Sequence, residues 1–190
     1  MGSRISAKRL TKELTDLRAN GPPAGCRIIQ ADDLETWVFG LRVLGDESET
    51  VYAGGNSRLL LDSEEFALRF RFSTQYPIDS PEVTFVVADP FKAPVHPHCY
   101  TNGHICASVL GSGWSPVLNV NSLLLTMQSM LASCKKKELP PDNDRYASLN
   151  SSRSVLPSSG SDAERDLHFT QIDPFCSEEP EGHEMGLPRR

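Results

Sequence analysis

Apolar residues recur at two different periods along this chain, and the switch between them outlines a fold. In "ISAKRLTKELTDLRANGPP", Leu10, Leu14 and Leu17 stand at i, i+4 and i+7, with Arg4, Lys8, Arg9 and Lys12 on other faces, until Gly21-Pro22-Pro23 stops the pattern. Such spacing lays one apolar stripe along an amphipathic α-helix. "ETWVFGLRV" and "FALRFRF" alternate instead: Trp37, Phe39, Leu41 and Val43 share one side of the first, and Phe66, Leu68, Phe70 and Phe72 oppose Arg69 and Arg71 in the second. Period two marks half-buried strands. "YPIDSPEVTFVVADP" supplies a proline-punctuated turn and a further short strand carrying Val83, Phe85 and Val87, so the sheet reads as an antiparallel meander. Between the first two strands, "GDESETVYAGGNSRLLLDSEE" is acidic and long for a hairpin connection; it reads as an insertion with room for a strand piece around Leu59 to Leu61.

"SPVLNVNSLLLTMQSMLASCKKK" is apolar on most sides and predicts a helix buried across the sheet. Asn119 or Asn121 suits its N-cap, and Lys135 to Lys137 suit its C-terminal end. "ELPPDNDRY" breaks that helix and starts another short one. From about Ser148 onward the chain turns to Ser, Pro, Gly and acidic residues, too few of them large and apolar to repay the entropy of ordering. The expected division is therefore a domain over residues 5–147 and a disordered tail over 148–190, with Leu167, Phe169, Ile172 and Phe175 as a sparse apolar cluster within it.

Composition narrows the function classes. The 190 residues suit one domain plus a tail, and a formal charge of -6 drawn from both signs argues against a protein that coats nucleic acid or an anionic membrane. No run is long and apolar enough to span a bilayer, and "MGSRISAKRLTKEL" lacks a signal peptide's apolar core, so a cytoplasmic or nuclear location is expected. Five widely spread cysteines, an odd number, fit free thiols in a reducing compartment.

The chemistry concentrates in "HPHCYTNGHICASVLGSGWSP", residues 96–116, which holds three histidines and two cysteines. Zinc would use these side chains, yet five candidates in one irregular run with only Cys134 as a distant helper do not supply two separated ligand pairs. A cysteine protease needs a base brought beside its thiol; His104, two residues before Cys106, can share a side with it, but His168 and His183, the other histidines outside this run, fall in the tail. A purely structural loop is the third reading, with Pro97 fixing the backbone, Asn102-Gly103 turning it and Cys106 as a small core residue. Against it, the thiol follows a polar, turn-rich loop, where burial is incomplete and reactivity favoured.

A fourth reading comes from resemblance. "YPIDSPEVTF", "HPHCYTNGHIC", "WSP" and "LPPDN", in this order and near these separations, resemble the catalytic domain of ubiquitin-conjugating enzymes over about residues 5 to 146. The resemblance implies an N-terminal helix, a four-stranded antiparallel meander, a central helix across it and a shortened C-terminal helical part. It implies that Cys106 carries ubiquitin as a thioester received from an activating enzyme and passes it to a protein amine, with no metal or other cofactor, ATP being consumed elsewhere in the pathway. Sulfur delocalises poorly into a carbonyl, so the acyl carbon stays reactive, and the protein need only orient the amine and stabilise the oxyanion. A partly ionised thiol suffices, which removes the demand for an adjacent strong base. A non-catalytic, ubiquitin-binding scaffold of the same fold is the competing class; such variants generally lack the cysteine.

The family's usual His-Pro-Asn is here His96-Pro97-His98, similar to the W-type subgroup, which modifies protein N-termini. "ASCKKK" and "PPDN" are similar to that subgroup as well. Imidazole still donates a hydrogen bond but with a different reach and pH dependence, so the resemblance gives His98 a role in the active-site loop or at the oxyanion, and His96 a bracing one. It also implies an activating-enzyme surface at Arg4, Lys8, Arg9 and Lys12, a ligase surface of the RING or U-box type at Ile78, Ser115, Pro116 and Val117, acceptor positioning at Asp142, and acceptor control at Ser108. Trp114 reads as packing. The insertion near Asn56 to Glu64 and the polar C-terminus depart from the family pattern.

Overall fold

The computed structural model describes residues 4–44, 51–52 and 64–150. Two units partition the chain, Met1–Ser158 and Ser159–Arg190, and every described residue lies in the first. Helix α1 (Arg4–Asn20) buries Leu10, Leu14 and Leu17 as the stripe predicts, and adds Ser6 and Glu13 to the buried face. Four strands follow, β1 (Cys26–Gln30), β2 (Thr36–Arg42), β3 (Glu65–Arg71) and β4 (Glu82–Phe85), paired antiparallel in the order β1-β2-β3-β4. Among the described residues this is the α+β arrangement expected.

Register explains the core. Trp37 pairs with Phe70, Phe39 with Leu68 and Leu41 with Phe66 across β2 and β3, so the alternating apolar sets of both strands emerge on one face. Trp37, Phe39, Leu41, Leu68 and Phe70 are fully buried there. Edge-to-face aromatic contacts run on from Trp37–Phe72 at 4.7 Å to Phe72–Tyr76 at 5.0 Å. Helix α2 (Val120–Ala132) packs against β2 and buries Val120, Leu123, Leu124, Met127 and Leu131. Asn119 caps it in a reciprocal box: its side chain accepts from the Ser122 amide, and its own amide donates to Ser122 Oγ.

Several expectations need correction. Strand β1, "CRIIQ", has no alternating signature because it is a five-residue sheet edge with Arg27, Ile29 and Gln30 exposed. The last strand stops at Phe85, and Val87 is solvent-exposed rather than buried beside Val83. Helix α2 is buried on one face only, with Leu125 half-exposed, and it ends before the lysines. Lys137 instead pairs with Glu64 at 2.7 Å and lies 4.8 Å over the Tyr52 ring. The strand piece at Leu59 to Leu61 and the cluster from Leu167 to Phe175 lie outside the described residues, as does the tail beyond Asn150. Helix α3 (Asn143–Leu149) forms where "PPDNDRY" suggests and includes Ser148 and Leu149.

Candidate active site

The 96–110 segment is built as a brace, a hairpin and an exit. His96 is buried, and its Nδ1 accepts the His98 amide at 3.0 Å. With Nδ1 accepting, the proton sits on Nε2, which faces the Met130 carbonyl on α2 at 3.3 Å. The ring thus ties the loop to α2, the bracing role expected of it. Burial, and then the charge of His98, lower its pKa below the usual 6.5, against a raising effect from Met130, so the ring is neutral near pH 7.

Cys99 and Ile105 pair across a short hairpin whose turn, Tyr100 to Gly103, closes through the Gly103 amide and the Tyr100 carbonyl at 2.9 Å. Gly103 has φ +89°, and a Cβ there would lie 2.2 Å from the Phe85 carbonyl oxygen. Only glycine fits. That approach lets the Gly103 carbonyl accept the Phe85 amide at 2.8 Å, and His104 pairs with Thr84, so the segment leading to the thiol is held against β4.

Cys106 follows directly. Its amide donates to the His98 carbonyl at 2.8 Å, which fixes the half-buried thiol from the other side. His98 thus meets the cysteine through its carbonyl, and its exposed ring lies 5.5 Å from that of His96. Cys99 is completely buried, and burial, followed by the neighbouring thiols of Cys134 and Cys106, pushes its pKa up to about 12, so it is a core residue and not a nucleophile. Ser108 is exposed at the start of a single 3₁₀ turn (Ser108–Leu110), its carbonyl accepting the Gly111 and Gly113 amides at 2.9 and 2.8 Å.

The "PPDN" segment closes the other side. Asp142 is exposed, and its carboxylate accepts the Tyr100 hydroxyl at 3.3 and 3.4 Å. The buried Asn143 accepts the Thr101 amide on Oδ1 at 3.0 Å. From α3, Tyr146 stacks on Tyr100 with centroids 3.9 Å apart, and its hydroxyl meets His104 Nδ1 at 3.1 Å. Burial, then Asp142, then Cys106 push Tyr100 up to about 12, and burial followed by Cys106 raises Tyr146. Both phenols remain protonated near neutral pH and serve as hydrogen-bonding hydroxyls, not bases. Among the described residues no group of three or more His, Cys, Asp or Glu is placed to hold a metal ion.

The basic positions of α1 divide. Arg4, Lys8 and Lys12 are exposed and, at i, i+4 and i+8, line one side of the helix. Arg9 is committed inward: its Nε meets Glu13 at 2.5 Å and its Nη2 donates to the Leu118 carbonyl at 2.9 Å. Burial alone would lower the Arg9 pKa, and the bond and charge of Glu13 raise it overall. Glu13 also accepts the Tyr76 hydroxyl at 2.7 Å and the Val120 amide at 3.0 Å. This carboxylate, unremarked in the sequence, stands three residues after Leu10 within the apolar stripe, which is the signal that locates it. Next to the same junction lie the residues at which a ligase surface is expected. Ile78 and Val117 are 69% and 84% exposed, Pro116 is exposed and Ser115 half-buried. Trp114 Nε1 donates to the Pro77 carbonyl at 3.0 Å, joining the two loops that carry them.

Comparison with known proteins gives the same picture. The family profile described as ubiquitin-conjugating enzyme matches residues 9–158. A probable ubiquitin-conjugating enzyme E2 W of Dictyostelium discoideum is 45% identical over 142 residues, 75% of this chain and 84% of that protein. A probable ubiquitin-conjugating enzyme E2 W-A of Danio rerio is 44% identical over 139 residues, 73% of this chain and 83% of its own length. Among solved structures, the ubiquitin-conjugating enzyme UbcA1 from Agrocybe aegerita superposes with a TM-score of 0.67 at 52% identity, covering 77% of this chain and 95% of that one. With profile, relatives and fold in agreement, the chain belongs to the ubiquitin-conjugating enzyme family of transferases, and within it to the W-type subgroup.

Proposed function

We propose that Cys106 accepts ubiquitin from the activating enzyme as a thioester and hands it to the amine of a protein substrate, with α-amino groups preferred. The thiolate attacks the carbonyl carbon of the incoming thioester and expels the activating enzyme's thiolate. A neutral amine then attacks the new thioester carbon, the resulting ammonium gives up a proton to solvent, and the tetrahedral oxyanion collapses to the amide with loss of the Cys106 thiolate, which can take a proton back from solvent. The observation that carries this reading is the half-exposed thiol at the end of a segment held by β4 on one side and by the His98 carbonyl on the other. A nucleophile fixed in this way brings the two reactants into productive geometry at small entropic cost.

Asp142, linked to Tyr100, orients the acceptor amine, and His98 steadies the loop or donates to the oxyanion from its exposed position. Ser108 lies beside the exit, leaving acceptor access open. An α-amine has a pKa of about 7.7–8.0 against about 10.4 for lysine, so far more of it is neutral and nucleophilic near pH 7, and less base assistance is needed. Arg4, Lys8 and Lys12 present the surface that meets the activating enzyme by charge steering, and Ile78, Pro116 and Val117 the apolar surface that meets a RING or U-box ligase. The test is discharge of the charged enzyme. A peptide with a free N-terminus and no lysine should consume the Cys106 thioester at least about tenfold faster than Nα-acetyl-lysine at equal concentration near pH 7, since its neutral fraction there is over about a hundredfold larger. Equal rates contradict the α-amine preference.

A further inference from the structure

A tyrosine that the scheme above does not use sits where the acceptor-side groups converge. Tyr146 lies on α3, 42 residues from its partner His104. Its ring stacks on Tyr100 at 3.9 Å with only 21° between the planes, and its hydroxyl meets His104 Nδ1 at 3.1 Å. Tyr100 and His104 bound the hairpin turn just before Cys106, and the Tyr100 hydroxyl is the one that reaches Asp142. A phenol ring has two side-chain torsions, and the half-buried Tyr100 without a stacking neighbour would sample several positions of its hydroxyl. The stack removes that freedom, while the bond to His104 holds the opposite strand of the hairpin.

We propose that Tyr146 is an acceptor-positioning residue: by stacking on Tyr100 and bonding to His104, it fixes the Tyr100–Asp142 pair against the Cys106 thioester. The inference rests on the Cys106 reading and deepens it. Tyr146 acts through Tyr100 and His104 and itself forms no bond to ubiquitin or the amine. It has no part in accepting ubiquitin, because that step presents a carbonyl carbon to the thiol and no amine to be oriented. Its influence should therefore divide the two half-reactions.

The experiment uses the full chain in three forms, wild type, Tyr146→Phe and Tyr146→Leu. Charging is followed with activating enzyme, ATP and ubiquitin. After charging is quenched, single-turnover discharge is followed over a range of a lysine-free peptide with a free N-terminus. Tyr146→Leu should charge within about twofold of wild type but discharge about tenfold more slowly at saturating peptide, with the half-saturating concentration changed by less than about twofold, because orientation and not peptide affinity is lost. Tyr146→Phe keeps the stack and loses only the hydroxyl, so it should recover to within about threefold of wild type. Discharge of Tyr146→Leu within twofold of wild type, charging slowed as much as discharge, or Phe no better than Leu would each overturn the proposal. A wild-type chain that never charges would instead remove the Cys106 reading beneath it.

Discussion

Glu13 gives the sharpest stability prediction, because one carboxylate holds three parts of the fold together. Its Oε1 takes the Arg9 Nε and the Tyr76 hydroxyl, its Oε2 takes the Val120 amide, and the residue is only 9% exposed. Replacing it by glutamine preserves volume but turns one acceptor into an NH₂ donor. Whichever way the amide turns, one donor faces another, and the charge opposite Arg9 is gone. An unsatisfied buried donor costs about 1–3 kcal/mol. The pair with Arg9, whose side chain is 30% exposed, is discounted for solvent and adds about 1 kcal/mol. The expected loss is roughly 3 kcal/mol, which for a domain of this size lowers the melting midpoint by about 6–12 °C. Since the Tyr76–Pro77 and Leu118–Val120 segments lead to Ile78 and Val117, ligase-stimulated discharge should fall more than charging does. Thermal unfolding by circular dichroism measures the first effect. A midpoint within about 2 °C of wild type would refute the argument that this carboxylate is structurally indispensable.

Two further outcomes follow from the segment before the thiol. Gly103→Ala should cost at least about 2 kcal/mol and slow charging about tenfold, since its methyl would displace the Phe85 carbonyl and with it the hairpin that aims Cys106; full-rate charging by a stable variant would contradict this. His96 makes stability depend on pH: its folded pKa is below 6.5, so between that lower value and 6.5 the unfolded chain binds the additional proton and stability falls as pH drops. The urea midpoint should be lower at about pH 5.5 than at about pH 7.5, and His96→Asn should remove most of that difference; an unchanged pH dependence in the variant would sink the assignment.

What the sequence made legible was local. Trp37, Phe39 and Leu41 in β2, and Phe66, Leu68 and Phe70 in β3, could be read because one face of each strand is buried at period two. A cap at Asn119 or Asn121 could be read from the residue type, and the structure selects Asn119 through its reciprocal partner Ser122. Strand β1 left no trace, because an edge strand with mostly exposed side chains carries no alternation. Cys106, His96 and Asp142 were visible as chemistry, but their partners were not. His104–Tyr146 and Thr101–Asn143 each join residues 42 apart, and no periodicity encodes such a pairing. Arg9 reads as a solvated basic residue for the related reason that nothing in the helix pattern marks the inward carboxylate it pairs with.

The proposed transfer rests on one thiol, that of Cys106. Wild-type chain, Cys106→Ala and Cys99→Ala should each be incubated with activating enzyme, ATP and ubiquitin and resolved with and without reductant. A single reductant-sensitive adduct, one ubiquitin heavier, is expected in wild type and in Cys99→Ala, and none in Cys106→Ala. An adduct that survives in Cys106→Ala, or that wild type never forms, would contradict it.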